Sequence, residues 1–250
     1  VAEGIPAIAA HRGWHAGGAA ENSIAALVLA DANGADFAEL DIRRLGDGTM
    51  VVHHDATLGG MPLQQLDRST LARHPQVPTL EAWARRAGDL DIGVLAEFKE
   101  AGYEADALDV LRRNIRAERL NLMSFDPDAV RALSTLAADR PVGLLSDVSL
   151  HGTNPQLLVD EARSAGASFL GLNVRQATEG VLELAHQRGL GAAVWTVDGA
   201  DDLARLLGDD RITTVISDVP QLAQRIRGGV AAVAGGETGI RLLRAAATMR

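Results

Sequence analysis

Short apolar runs rich in β-forming residues alternate with longer stretches of helical periodicity along almost the whole chain, the signature of βα units around a parallel sheet. Eight such runs predict strands at about Ile5–Ala9, Asp36–Ile42, Ile92–Phe98, Leu120–Phe125, Val142–Ser146, Ser168–Leu172, Ala192–Val197 and Thr214–Ser217. The first intervening helix is predicted to open at Asn22 or Ser23, either a good N-cap, with Ile24, Leu27 and Val28 on one face. Gly34, Gly166 and Gly189 each close a helical stretch just before a strand, where a C′ glycine turns the chain through the left-handed region.

Eight parallel strands with crossover helices can close into a (β/α)8 TIM barrel, which leaves no sheet edge exposed. An open doubly wound sheet of this length would use fewer strands, so the closed barrel is the predicted architecture. At 250 residues with no Pro/Ser linker or charge block, the chain is predicted to be a single barrel domain over residues 1–250. A short insertion, about Asp47 to Thr79, separates the second strand from its helix and carries Val51-Val52-His53-His54-Asp55. It is expected to lie over the face that holds the strands' carboxyl ends. Ile240, Leu242, Leu243, Ala246 and Met249 predict an extra terminal helix within residues 229–250, packed on the barrel.

Charge narrows the partners. Lys and Arg total 24 against 33 Asp and Glu, a net charge of −9 whose field repels nucleic acid. Without cysteine the chain uses neither disulfides nor thiolate metal sites, and its length suffices to bury a core unaided. No apolar run approaches the ~20 residues of a membrane span, and no signal-peptide pattern opens the chain. A cytoplasmic location is the expectation, with secretion as the alternative if a signal was removed ahead of Val1.

Polar residues in buried parallel strands are costly unless paired or bound to a ligand, so their positions are informative. They gather at strand ends: His11-Arg12 after the first strand, Glu39-Leu40-Asp41 in the second, Glu97-Phe98-Lys99 at the third, and Trp195 near the end of the seventh. Residues i and i+2 of a strand share a side, with Cα atoms ~6.5–7 Å apart, so Glu39 and Asp41 face the barrel while Leu40 faces the helices. Glu97 and Lys99 share that parity. Three carboxylates in one confined mouth repel or take up protons unless a cation sits among them, and an all-oxygen set favours Mg²⁺ or Ca²⁺ over zinc. The plainer reading makes Glu39-x-Asp41 an ion-paired strand end and Lys99, the only lysine, a partner for Glu97. Of seven histidines, His74, His151 and His186 read as surface or loop residues, whereas His11 and His54 fall on the carboxyl-end face.

Phosphoryl transfer needs charge neutralisation and positioning, which a divalent cation beside arginine and lysine supplies. Two histidines titrating near neutrality can take a proton from an attacking hydroxyl and return one to a leaving alkoxide. The chain resembles the glycerophosphodiester phosphodiesterases through Ala10-His11-Arg12-Gly13, Glu21-Asn22-Ser23, Glu39-Leu40-Asp41-Ile42, Asp47-Gly48, Val52-His53-His54-Asp55, Glu97-Phe98-Lys99, Trp195-Thr196-Val197 and Ser217-Asp218-Val219-Pro220, in the family's order and approximate spacing.

The resemblance runs from about Ala7 to Pro220. It implies a (β/α)8 barrel and metal-assisted hydrolysis of a glycerophosphodiester to glycerol 3-phosphate and an alcohol. It implies His11 and His54 as the acid/base pair; Glu39, Asp41 and Glu97 as ligands of one Mg²⁺ or Ca²⁺; Arg12 and Lys99 on the phosphate; and Trp195 as an apolar wall beside the glycerol. Ala20 and Ser23 depart from the proline and threonine usual around the Glu-Asn pair, and Trp14 to Ala20 slightly lengthen the loop from His11 to Glu21. Glu21 and Asn22 are expected to cap the first helix and brace this loop.

Three alternatives stand beside this expectation. A lysophospholipase D or sphingomyelinase D type activity would want apolar surface at the mouth, for which Met61, Leu63 and Leu66 are candidates. Lys99 at a strand end suits a Schiff-base aldolase. A silent barrel would only bind a phosphate ligand.

Overall fold

The computed structural model describes residues 5–230. Eight strands alternate with helices: β1 (Ala7–Ala10), β2 (Phe37–Arg44), β3 (Gly93–Phe98), β4 (Leu120–Ser124), β5 (Val142–Ser146), β6 (Phe169–Asn173), β7 (Gly191–Trp195) and β8 (Ile212–Ser217). The helices are α1 (Ile24–Ala32), α2 (Leu80–Gly88), α3 (Glu104–Asn114), α4 (Pro127–Leu136), α5 (Val148–His151), α6 (Pro155–Ser164), α7 (Glu179–Gln187) and α8 (Ala200–Leu207). Each barrel strand pairs in parallel with the next, β8 pairs with β1, and β1 pairs with β2, so the predicted closed barrel is what forms.

Strand alternation sorts the side chains into two layers. Ile8, Leu40, Ile42, Val94, Phe98 and Leu122 point outward and bury against Leu27, Trp83, Leu108, Leu111 and Val130 of the helices. Ala9, Leu95, Met123, Leu145, Phe169, Ala193 and Ile216 point inward and fill the barrel. The large inward side chains are accommodated by missing ones on neighbouring strands. A Cβ at Gly143 would stand 2.2 Å from the Phe169 ring, and one at Gly171 would stand 2.4 Å from Leu145. Overpacking of this kind costs about 1–3 kcal/mol. Gly143→Ala is therefore expected to lower unfolding stability by about that amount in chemical denaturation, and an unchanged midpoint would contradict the packing described.

The helices end as their sequences predict. Gly34, Gly166 and Gly189 have φ of +73°, +78° and +73°, as C′ glycines should. Ser23, not Asn22, caps α1, its Oγ accepting from the Ala26 N–H at 3.1 Å. The barrel seam is short: β1 and β2 share two register pairs, Ala9 with Phe37 and Ala10 with Ala38, whereas β2 and β3 share six. Residues 220–230 are helical and are tied to the first unit. Gln221 Nε2 donates to Asn33 Oδ1 at 2.6 Å, and Arg227 pairs with Asp36.

The insertion between β2 and α2 lays the strand Met50–Val52 antiparallel to the end of β2, pairing Arg44 with Met50 and Ile42 with Val52. It continues through the two-residue strands Thr57–Leu58 and Met61–Pro62 and 3₁₀ turns at Leu63–Gln65 and Arg68–Arg73. Leu63 and Leu66 are buried in the insertion's own cluster with Leu45, Val51, Leu58 and Val77, which corrects the expectation that they line an apolar mouth. Of the three candidates only Met61 is exposed. The terminal helix expected over 229–250 lies outside the described residues beyond 230. Among the described residues no helix is long and apolar enough to cross a membrane.

Candidate active site

The carboxyl end of β1 runs into a turn shaped by backbone that side chains rarely adopt. Arg12 has φ +53° and Gly13 φ +74°, and a Cβ on Gly13 would meet the Ala26 carbonyl carbon at 2.7 Å. Only glycine lets this turn press against α1. The left-handed Arg12 aims its backbone N–H at Glu39 Oε2, 2.7 Å away. Its guanidinium Nη1 donates to Glu21 Oε2 at 2.8 Å, and its Nε lies 3.5 Å from Asp41 Oδ2.

Asn22, also left-handed at φ +60°, is buried and braces Asp41 from both directions. Its Nδ2 donates to Asp41 Oδ2 at 2.7 Å and its Oδ1 accepts from the Asp41 backbone N–H at 3.1 Å. Glu21 and Asn22 thus brace the loop as expected, but through the site's own charged groups and not as the helix cap.

Glu39, Asp41 and Glu97 are all buried, and Asp41 stands opposite Glu97 in the β2–β3 register. One carboxylate oxygen of each lies within 4.8 Å of the other two. Lys99 Nζ sits 2.6 Å from Glu97 Oε1 and 3.3 Å from Asp41 Oδ1. Burial, with Asp41 and Glu97 close by, holds Glu39 well above the usual carboxylate range. Burial and Asp41 push Glu97 up to about 7 despite Lys99. Burial also works to raise Asp41, but Lys99, the Asn22 amide and Arg12 outweigh it and leave Asp41 below its ordinary value. Glu39 Oε1 is a buried acceptor with no hydrogen-bond partner among the described residues. An orphaned carboxylate oxygen beside two more, in an all-oxygen set, fits a hard divalent cation, and the triad can hold one.

The insertion brings His54 to the same mouth. The His53 N–H donates to the Asp41 carbonyl at 2.9 Å, and Arg43 Nε donates to the His54 carbonyl at 2.7 Å while its guanidinium pairs with Glu100. His54 Nδ1 contacts Asp55 Oδ1 at 2.8 Å. Across the mouth, His11 Nδ1 contacts Asp218 Oδ1 at 2.8 Å, and the same oxygen lies 3.1 Å from His15 Nε2. The histidine bonds hold Asp218 below its ordinary pKa, so it is ionised at neutral pH and each ring nitrogen touching it carries a proton. His11 thus carries a proton on Nδ1, which leaves its Nε2 as the nitrogen free to meet a reacting group.

A cavity of about 220 Å³ joins these groups. His11, Arg12, Glu39, His54, Glu97 and Lys99 line its polar side, and Met123, Phe125, Leu145, Trp195 and Ile216 line the other. Trp195 meets Phe125 edge to face, with ring centroids 5.4 Å apart, and its Nε1 donates to the Gly171 carbonyl at 3.1 Å. Of the eight residues singled out by sequence, seven line this cavity, and Asp41 stands behind it in contact with Lys99, Arg12 and Asn22.

Sequence reasoning passed over His15, Phe125 and any role for Asp218. Asp218 carries the same signal that flagged the others, a charged residue just past a strand's carboxyl end. His15 has no local signal, because its partner is 203 positions away.

His151 is also corrected. It is not a free surface residue: its Nδ1 lies 2.9 Å from Ser146 Oγ and its Nε2 2.7 Å from Glu161 Oε2. This serine–histidine–glutamate chain has the outline of a nucleophilic triad, but Ser146 is 1% exposed and its Oγ also accepts from Gln176 Nε2 at 3.0 Å. A serine so enclosed cannot meet an acyl group, and the chain of bonds pins α5 to the end of β5.

Comparison with known proteins agrees with this geometry. Residues 11–222 match the glycerophosphoryl diester phosphodiesterase family model. A glycerophosphodiester phosphodiesterase of Caldanaerobacter subterraneus subsp. tengcongensis is 26% identical over 236 residues, covering 86% of this chain and 94% of that protein. A glycerophosphodiester phosphodiesterase structure from Parabacteroides distasonis superposes with a TM-score of 0.79 at 25% identity, over 92% of this chain and 99% of that one. An Oleispira antarctica phosphodiesterase, solved with the product sn-glycerol-3-phosphate, shares the fold with a TM-score of 0.76 at 22% identity, over 89% and 96%. With the family's pattern matched across most of its length and its barrel reproduced, the chain belongs to the glycerophosphoryl diester phosphodiesterase family.

Proposed function

We propose that the protein hydrolyses glycerophosphodiesters to glycerol 3-phosphate and an alcohol. The observation that carries this reading is a single cavity lined by two imidazoles, two cationic side chains and two carboxylates on one side, with the third carboxylate, Asp41, directly behind them, and by an aromatic wall on the other. Glu39, Asp41 and Glu97 would hold one Mg²⁺ or Ca²⁺, which when bound neutralises phosphate charge and polarises the phosphoryl oxygens. Arg12 and Lys99 orient the phosphate from the same side. Trp195 and Phe125 pack against the glycerol carbons, as suits a small polyol with one apolar face. The product bound to the Oleispira antarctica phosphodiesterase has the same chemistry.

One of His11 and His54 accepts a proton from the attacking oxygen through its Nε2. The other donates a proton to the alkoxide as the bond between phosphorus and the leaving oxygen breaks. Asp218 and Asp55, each on Nδ1, hold the rings so that Nε2 is the working atom in both.

Lys99 argues against the aldolase alternative. Burial alone would lower its pKa, but Glu97 and Asp41 outweigh it and hold the ammonium above its ordinary value, and a protonated amine is no nucleophile. The small cavity and the buried Leu63 and Leu66 favour a water-soluble diester over a lipid.

Incubating purified protein with glycerophosphocholine, with Mg²⁺ or Ca²⁺ and with chelator, should release sn-glycerol 3-phosphate only when metal is present. Absence of release from several headgroups with either metal would refute the proposal.

A further inference from the structure

His15 lies on the loop after β1, does not line the cavity, and has no place in the proton transfers proposed above. It nonetheless shares one acceptor atom with His11. Asp218 Oδ1 is 2.8 Å from His11 Nδ1 and 3.1 Å from His15 Nε2. The backbone under Asp218 is itself fixed, because Asp198 Oδ1 accepts from the Asp218 N–H at 2.9 Å and from Ser217 Oγ at 3.1 Å. What remains free is the rotation of the Asp218 carboxylate, and its side chain is about one-third exposed. One bond from His11 would let both turn together. A second donor on the same oxygen, from His15 four residues further along the loop that carries His11, removes that freedom.

We propose that His15 is a positioning residue for His11: its Nε2–H clamps the Asp218 carboxylate, which in turn holds His11 with its Nδ1–H on Asp218 and Nε2 toward the phosphate. The inference deepens the proposed function and rests on His11 being one of its proton-transfer groups. The titratable and charged groups around this pair are Asp198, which accepts from the Asp218 N–H, and Arg12, Glu39, His54, Glu97 and Lys99, which line the polar side of the cavity with His11. No other donor reaches Asp218 Oδ1 among the described residues.

Two variants separate the donor from mere packing. His15→Phe keeps a ring and removes the N–H, whereas His15→Gln removes the ring and keeps an N–H of similar reach. Loss of an orienting partner typically costs tenfold or more in activity, so His15→Phe is expected to lower kcat on glycerophosphocholine about tenfold. Its KM should stay within about twofold, since no contact with substrate is lost. His15→Gln should retain near wild-type kcat. In parallel, ¹⁵N NMR of the His11 ring should show the Nδ1–H pattern in the wild type and His15→Gln, and a shift toward mixed tautomers in His15→Phe.

Wild-type kcat and an unchanged His11 pattern in His15→Phe would overturn the proposal, as would a His15→Gln enzyme no better than His15→Phe. Should the wild type hydrolyse no glycerophosphodiester, the proposed function fails separately. The tautomer measurement then decides the positioning role alone, an unchanged His11 pattern in His15→Phe refuting it.

Discussion

His11→Ala and His54→Ala enzymes are each expected to hydrolyse glycerophosphocholine about 10²–10⁴-fold more slowly than the wild type, the usual contribution of a positioned acid or base. Substrate affinity should change little, because Arg12, Lys99 and the aromatic wall remain. The two losses should not multiply. In the proposed mechanism proton removal and proton return belong to one displacement, so once either is missing the other has little left to accelerate. A double variant close to the slower single variant would show the pair working as a unit. Fully multiplicative losses would instead show each histidine contributing independently to the same rate-limiting transition state. Glycerophosphocholine is a suitable substrate for this comparison because its leaving alkoxide is poor, so the missing acid is felt in full. A diester with a good leaving group should recover much of the rate in whichever variant lacks the acid, and that rescue would assign the roles.

The second large effect concerns the acidic triad. Glu39 and Glu97 are held above the usual carboxylate range, Glu97 to about 7, chiefly by burial. Between their ordinary pKa and these raised values the folded protein keeps protons that the unfolded chain has released. Stability contributed by these groups is therefore present at low pH and falls as pH rises through that window. A divalent cation must displace the same protons, so its apparent affinity should rise over the same range. Mg²⁺ or Ca²⁺ at about a hundred times its dissociation constant stabilises a folded protein by about 2.7 kcal/mol. For a chain of this size that corresponds to a Tm increase of about 5–10 °C. The increase should be largest near pH 8, small near pH 5, and absent in Glu97→Gln, whose metal-free form should also depend less steeply on pH. Equal metal-induced shifts at both pH values would contradict the coupling.

The barrel and most of the polar side of the site were legible in the sequence for one physical reason. Parallel strands sheathed by helices are apolar on both faces, so a charged residue within or just past one is an exception that needs a partner. Glu39, Asp41, Glu97 and Lys99 stand out on that ground, and strand parity alone turns them to the same side. His11 stands out by where its strand ends, and His54 by an insertion that meets the same face.

Other features depend on contacts no local pattern records. Asn22 in sequence looks like any helix cap, and only the folded loop shows it bonding Asp41 on both edges. His15 and Asp218 meet because the last strand closes against the first. Leu63 and Leu66 illustrate the converse ambiguity: an apolar residue in an insertion suits an exposed rim or a small local core equally well, and here the second holds. His151 reads in sequence as a surface or loop residue because its partners, Ser146 and Glu161, belong to β5 and α6 on either side of it.

The two-pair junction of β1 with β2 gives the active centre a mechanical part to play. Where backbone pairing is sparse, the strands are held across the gap by the Arg12 amide on Glu39 and by the Asn22 clasp on Asp41, whose own charged neighbours are the groups proposed to meet a ligand. Whatever neutralises those acids from the mouth also fastens the closing stave of the barrel, so an occupied enzyme should be the more rigid one at the line where the cylinder is easiest to pry apart.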